Sequence, residues 1–159
     1  MSEVNKAIVR RLFDECLNRH NPDLYPELYC DVVYRAPAMG ELRSEEHRHF
    51  LLSVFAGFPD AQWTIEEQIA EAEKVATRWT FAGTHSGTFM GIEATGRQVC
   101  ITGISLSRIA GGTIVEEWEE WDTLGMMQQL ALLPAETRLP SSASRPSGMA
   151  TEWDSCARI

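Results

Sequence analysis

The sequence predicts an α+β fold: a cone-shaped, curved antiparallel sheet wrapped around N-terminal helices. Three observations carry it. Apolar residues recur at three- and four-residue steps early in the chain, the pattern of amphipathic helices. Closely spaced strand-like segments then follow between residues 62 and 121, and such short connections favour antiparallel pairing. A last short helical pattern closes the series, so helices and strands are segregated along the chain.

Ser2 can cap a first helix, whose apolar positions are Val4, Ala7, Ile8, Leu12 and Cys16, with Arg10, Arg11, Asp14 and Glu15 on its polar side. It ends near His20-Asn-Pro22. Residues 24–29 read as a short helix and 31–36 as a strand stopped by Pro37. A second amphipathic helix spans 44–58, with Phe50, Leu51, Val54 and Phe55 on its apolar side, and Pro59-Asp60 closes it. Strands follow at 62–72, 75–85, 98–109 and 113–121, joined by Glu73-Lys74, by a longer glycine-containing connection and by Gly111-Gly112. Asp122 is suited to cap a final helix over 123–133 that buries Leu124, Met127 and Leu130. The expected domain is therefore 1–133. From Pro134 the composition becomes that of a flexible tail, 134–159, with Trp153 as an isolated docking candidate.

Composition narrows the function. A chain of 159 residues fits one domain with its own core. Its formal charge of −9, with no Lys/Arg stripe, argues against nucleic acid as a partner. The apolar runs fall well short of the ~20 residues of a membrane span, and the first residues lack the basic and apolar regions of a signal peptide. A cytoplasmic location without membrane association is the expectation. Cys16, Cys30, Cys100 and Cys156 show no paired spacing, so free thiols are expected. His47 and His49, two apart, would not share a helix face, and no metal site is expected.

The segment 114–122, Ile-Val-Glu-Glu-Trp-Glu-Glu-Trp-Asp, places four glutamates and two tryptophans on one strand. Strict alternation would put Val115, Glu117, Glu119 and Trp121 on one face and Ile114, Glu116, Trp118 and Glu120 on the other. A carboxylate held beside apolar surface resists ionisation and moves toward the range useful for acid/base work. The same glutamates could equally face water while the tryptophans pack. Five Trp, three Tyr and six Phe supply wall for an apolar ligand, or simply a core.

Residues 78–92 (Arg-Trp-Thr-Phe-Ala-Gly-Thr-His-Ser-Gly-Thr-Phe-Met-Gly-Ile), with Thr95-Gly-Arg-Gln-Val99, Thr102-Gly-Ile-Ser-Leu-Ser-Arg-Ile109, Ile114-Val-Glu-Glu-Trp118 and Trp121-Asp-Thr-Leu-Gly125, resemble the SnoaL-like polyketide cyclases of the nuclear transport factor 2-like superfamily. The resemblance is close over 75–130. It implies a cone-shaped α+β barrel, often dimeric, and a cofactor-free intramolecular aldol cyclisation of a polyketide methyl ester. In such cyclases an aspartate on the final strand is the acid/base and a histidine on the preceding strand stands beside it. Those positions fall here on Glu119 and Ser105. Glutamate keeps the carboxylate; serine keeps a hydrogen bond but not the tuning an imidazole gives. Steroid-isomerase relatives carry a general-base aspartate at the position that is Ala36 here, which argues against isomerisation by that arrangement.

The expected enzyme uses Glu119 to abstract a proton next to a carbonyl of a small apolar, oxygenated substrate, with Ser105 orienting it. Trp79, Trp121, Phe55 and Cys16 would shape a cavity of several hundred Å3. Tyr34 would offer a phenol to an oxyanion or pack in the core, and His85 would sit at the mouth or in a solvated turn. A hydrolase or dehydratase activating water in the same pocket, and a non-catalytic binding module, stay open as alternatives. A second carboxylate across a water from Glu119 would favour hydrolysis. Apolar area at Ile114 and Trp118, on the face opposite Glu119, points to a homodimer.

Overall fold

The computed structural model describes residues 2–134. The expected tail, Trp153 and Cys156 lie outside the described residues. Helix α1 (Ser2–Arg11) continues into a π-helical segment (Leu12–Leu17), and Val9, Leu12, Phe13 and Cys16 point into the core. Val4, expected on the apolar face, is exposed instead. A 3-10 turn (Pro22–Leu24), whose Asp23 N–H donates to the Asn21 side chain at 3.3 Å, leads into the one-turn helix α2 (Tyr25–Leu28).

Strand β1 (Tyr29–Ala36) is followed by a strand the sequence did not announce, β2 (Gly40–Arg43). Gly40, at φ +77°, lets the chain turn back so that β2 pairs antiparallel with β1. Helix α3 (Ser44–Gly57) starts where the Arg43 N–H donates to the Glu46 carboxylate at 2.9 Å, half of a capping box. The meander β3 (Gln62–Glu71), β4 (Lys74–Thr84), β5 (Gln98–Ala110) and β6 (Thr113–Trp121) then follows, within a few residues of the predicted limits. Asp122 caps α4 (Thr123–Gln129) by accepting from the Gly125 N–H at 2.8 Å. This last helix is shorter than expected and buries Met126 in place of Leu124, while the following Leu130 is buried as expected.

The six strands form one open sheet in the order β2-β1-β6-β5-β4-β3. Every neighbouring pair is antiparallel except β1 and β6, which run parallel. No hairpin joins those two strands, so nothing forces them to run in opposite directions. The sheet is thus mixed within the expected α+β layout. Among the described residues no helix is long and apolar enough to cross a membrane.

Two irregularities place the interior side chains. Between the pairs Ile109↔Ile114 and Arg108↔Glu116, β6 advances two residues for one on β5, so Val115 is an extra residue in the strand. Ile114 is consequently fully buried on the same side as Glu117, Glu119 and Trp121, which corrects the strict alternation. Neighbouring β1 shifts register between Tyr29 and Val33, with Asp31 at φ +45°. That shift turns both Tyr29 and Tyr34 inward.

Candidate active site

The inner face of the sheet, the π-helical segment and α3 border a cavity walled by Phe13, Leu51, Trp63, Phe81, Phe89 and Met126, among others. Its polar floor comes from β6. Glu117 and Glu119, two residues apart on one face, both line the cavity. The enclosed space is about 90 Å3, smaller than the several hundred expected. It suits a small molecule or one ring of a longer one. Phe50 and Trp63 line it while only half-buried.

Each carboxylate receives two hydroxyl hydrogen bonds, one from each neighbouring strand. Ser105, opposite Glu119 in the β5–β6 register, donates to Glu119 Oε1 at 2.9 Å, and Tyr34 donates to Oε2 at 2.5 Å. Ser107, opposite Glu117, donates to Glu117 Oε1 at 2.8 Å, and Tyr29 donates to Oε2 at 2.8 Å. Behind Ser105, the Trp79 indole N–H donates to its Oγ at 2.8 Å. That indole has room because its cross-strand partner is Gly103: a Cβ there would lie 2.3 Å from the Trp79 ring.

No salt bridge among the described residues reaches either glutamate. Burial therefore dominates their ionisation. Desolvation, followed by repulsion from Glu119, raises the Glu117 carboxyl to about 7 against the donation from Ser107 and Tyr29. Glu119 is also raised by desolvation, opposed by donation from Tyr34 and Ser105. The Tyr29 and Tyr34 phenols are raised as well. Burial first, then the nearby carboxylates, keep both protonated as hydrogen-bond donors.

A histidine completes the wall. His47, on α3, stacks on the Tyr34 ring with centroids 4.4 Å apart and lines the cavity. The Tyr25 hydroxyl donates to the Ser44 carbonyl at 3.0 Å, so its contact with His47 Nδ1, also 3.0 Å, requires Nδ1 to carry the proton. His47 Nε2 then holds a lone pair. Burial lowers the imidazole to about 4, which keeps it neutral.

Glu119, Ser105, Tyr34, Trp79 and Trp121 thus meet at the cavity as the sequence anticipated. Three candidates do not. Cys16 is fully buried in the core without lining the cavity, because the π-helical segment presents Leu12, Phe13 and Leu17 there. Phe55 lies half-buried against His20, ring centroids 4.7 Å apart. His85 is neither at a mouth nor solvated: it is fully buried, accepts the Thr95 N–H at Nδ1 (3.3 Å) and stacks on Phe58. Missing from the sequence reading were Glu117's part in the floor, Tyr29, Ser107 and His47. Only Glu117 carried a signal, its place two residues from Glu119.

Helices packed under an open mixed sheet, with polar groups on the floor of an apolar cavity, define the nuclear transport factor 2-like class of fold. The sequence matches the SnoaL-like polyketide cyclase family over residues 7–130, and the chain belongs to that family. Among solved structures it is similar to AclR of Streptomyces galilaeus, described as a candidate hydroxylase (26% identity, 84% of this chain and 100% of that chain, TM-score 0.76). It is also similar to IdmH of Streptomyces antibioticus, a candidate polyketide cyclase (29% identity, 80% and 98%, TM-score 0.70). A SnoaL-like protein from Jannaschia sp. CCS1 shares the fold (23% identity, 84% and 95%, TM-score 0.77). No curated protein matched the sequence.

Proposed function

We propose that this protein is a cofactor-independent cyclase that closes a ring in a polyketide-like ester by intramolecular aldol addition, with Glu119 as the base. The observation that carries this reading is a carboxylate with no cationic partner among the described residues, fixed by Tyr34 and Ser105 inside an apolar cavity. Such a group gains basicity from its surroundings and costs no reorganisation when it acts. Glu119 removes a proton next to a carbonyl, and the enolate carbon attacks a second carbonyl of the same molecule. Apolar walls hold the substrate folded, which converts the attack into a proximity-assisted step. Family membership and the likeness to IdmH support a cyclase.

A second reading has one specific observation behind it. Glu117 stands in the same cavity, and two carboxylates can also activate water for hydrolysis or assist a dehydration. Poly-β-keto esters screened for thermal stabilisation of the protein, followed by mass analysis of the product, separate these readings. Aldol addition leaves the mass unchanged, dehydration removes one water, and hydrolysis splits the ester into an acid and an alcohol whose masses sum to the substrate plus one water. Ligands that bind without turnover would favour the binding module. In the cyclase reading Glu119→Gln lowers turnover by roughly 10²–10⁴-fold, whereas Glu120→Gln, exposed on the strand, leaves it intact.

A further inference from the structure

We propose that Glu117 is the proton donor that completes the reaction: the two glutamates hold one proton between them, and it resides on Glu117. This rests on the cyclase reading and deepens it. Two buried carboxylates on one strand face, with no cation among the described residues to offset them, cannot both ionise without a large penalty.

Geometry decides which one keeps the proton. Glu119 accepts the shorter phenol bond, 2.5 Å from Tyr34 against 2.8 Å from Tyr29 to Glu117. Its serine is anchored as a donor, because the Trp79 N–H occupies the acceptor side of Ser105 Oγ and leaves the hydroxyl aimed at Glu119. Ser107 has no such anchor among the described residues, so it can turn and accept a proton held on Glu117 Oε1. The groups facing Glu117 are Tyr29 from β1, Ser107 from β5 and Glu119 on its own strand, with Tyr25 of α2 and Tyr34 of β1 close enough to sense its charge. Neutral His47 shares the cavity. None of them supplies a positive charge.

The step balances. Glu119 takes the C–H proton, the C–H electron pair forms the new C–C bond, and the attacked carbonyl oxygen takes the Glu117 proton as its π bond breaks. The substrate leaves as a neutral hydroxyl compound, and the pair ends with the same single proton and charge, now on the opposite partners. Solvent exchange resets them. The substrate class this fits is an enolisable ester or ketone that carries its own carbonyl acceptor.

Carbon-13 NMR of glutamate-labelled protein without ligand tests the proton's location, with Glu117→Gln and Glu119→Gln assigning the two resonances. The Glu117 carboxyl is expected to titrate near pH 7 and above Glu119; a Glu119 carboxyl that titrates last overturns the proposal. If a variant fails to fold, the wild-type titration still decides whether one carboxyl remains protonated near neutrality, and two carboxylates both ionised at pH 6 refute it. With a poly-β-keto ester, Glu117→Gln should retain enzyme-dependent exchange of the α-hydrogen in deuterium oxide yet lose cyclised product at least tenfold. Normal cyclisation by Glu117→Gln refutes the donor role and leaves Glu119 as base. Undiminished exchange by Glu119→Gln refutes the underlying reading instead.

Discussion

Tyr34 shows how a single hydroxyl sets the chemistry of this pocket. Its bond to Glu119 favours the ionised carboxylate, so Tyr34→Phe should raise that carboxyl further and move the acidic limb of the rate profile to higher pH, which stopped assays across pH 4–8 would record. An unmoved limb would show that the phenol does not tune the base. Gly103→Ala tests the support beneath. A Cβ against the indole must displace Trp79 and break its bond to Ser105, a strain of about 1–3 kcal/mol, measurable by denaturant unfolding. At this scale Glu119, Ser105 and Trp79 were legible, because a motif fixed them and their strand neighbours were near in sequence. His47 was not, because its role depends on α3 packing against Tyr34 of β1 and Tyr25 of α2, contacts no local pattern encodes.

The elements explain a different set of successes and errors. Strands β3 to β6 were read within a few residues because alternation and glycine-rich turns are local signals. Strand β2 escaped because four residues with little apolar content show no period. The extra residue at Val115 escaped for a physical reason: a bulge is visible only against its partner strand, and without it alternation assigns Ile114 to the wrong face. That error matters for assembly. With Ile114 in the core, the apolar outer surface includes Ile104, 52% exposed, and Ile69, 64% exposed, beside half-buried Leu106 and Trp118, the last covered in part by the Arg35 guanidinium 5.2 Å from its ring centre. The homodimer proposal now rests on this patch. Light scattering at micromolar concentration should give a dimer for the wild type and a monomer for Ile104→Asp; a monomeric wild type would end the proposal.

Across the whole molecule, the buried acids give stability a pH signature. A carboxyl raised in the folded state favours folding at low pH, fully below its unfolded value near 4.5, and loses that advantage as pH rises through about 7. His47 runs opposite: lowered to about 4, it destabilises the fold as pH falls below about 6.5, so the two slopes largely cancel in the wild type. The comparison with Glu117→Gln isolates the acid. The variant should gain stability over the wild type by about 1.4 kcal/mol per pH unit between roughly pH 4.5 and 7, then level off, in parallel urea titrations. A flat difference curve would mean that folding does not shift the Glu117 carboxyl from its unfolded value.

The central claim is that Glu119 moves a proton from carbon, and hydrogen exchange at that carbon reads it most directly. A poly-β-keto ester incubated in deuterium oxide with protein, with the uncatalysed rate subtracted, should take up deuterium at the α-carbon with the wild type and with Glu120→Gln. Exchange by Glu119→Gln should be slower by roughly 10²–10⁴-fold. Equal exchange by the wild type and Glu119→Gln would contradict the account and turn the search for the base to Glu117, the other carboxylate in the cavity; a loss confined to Glu120→Gln would move it outside the cavity.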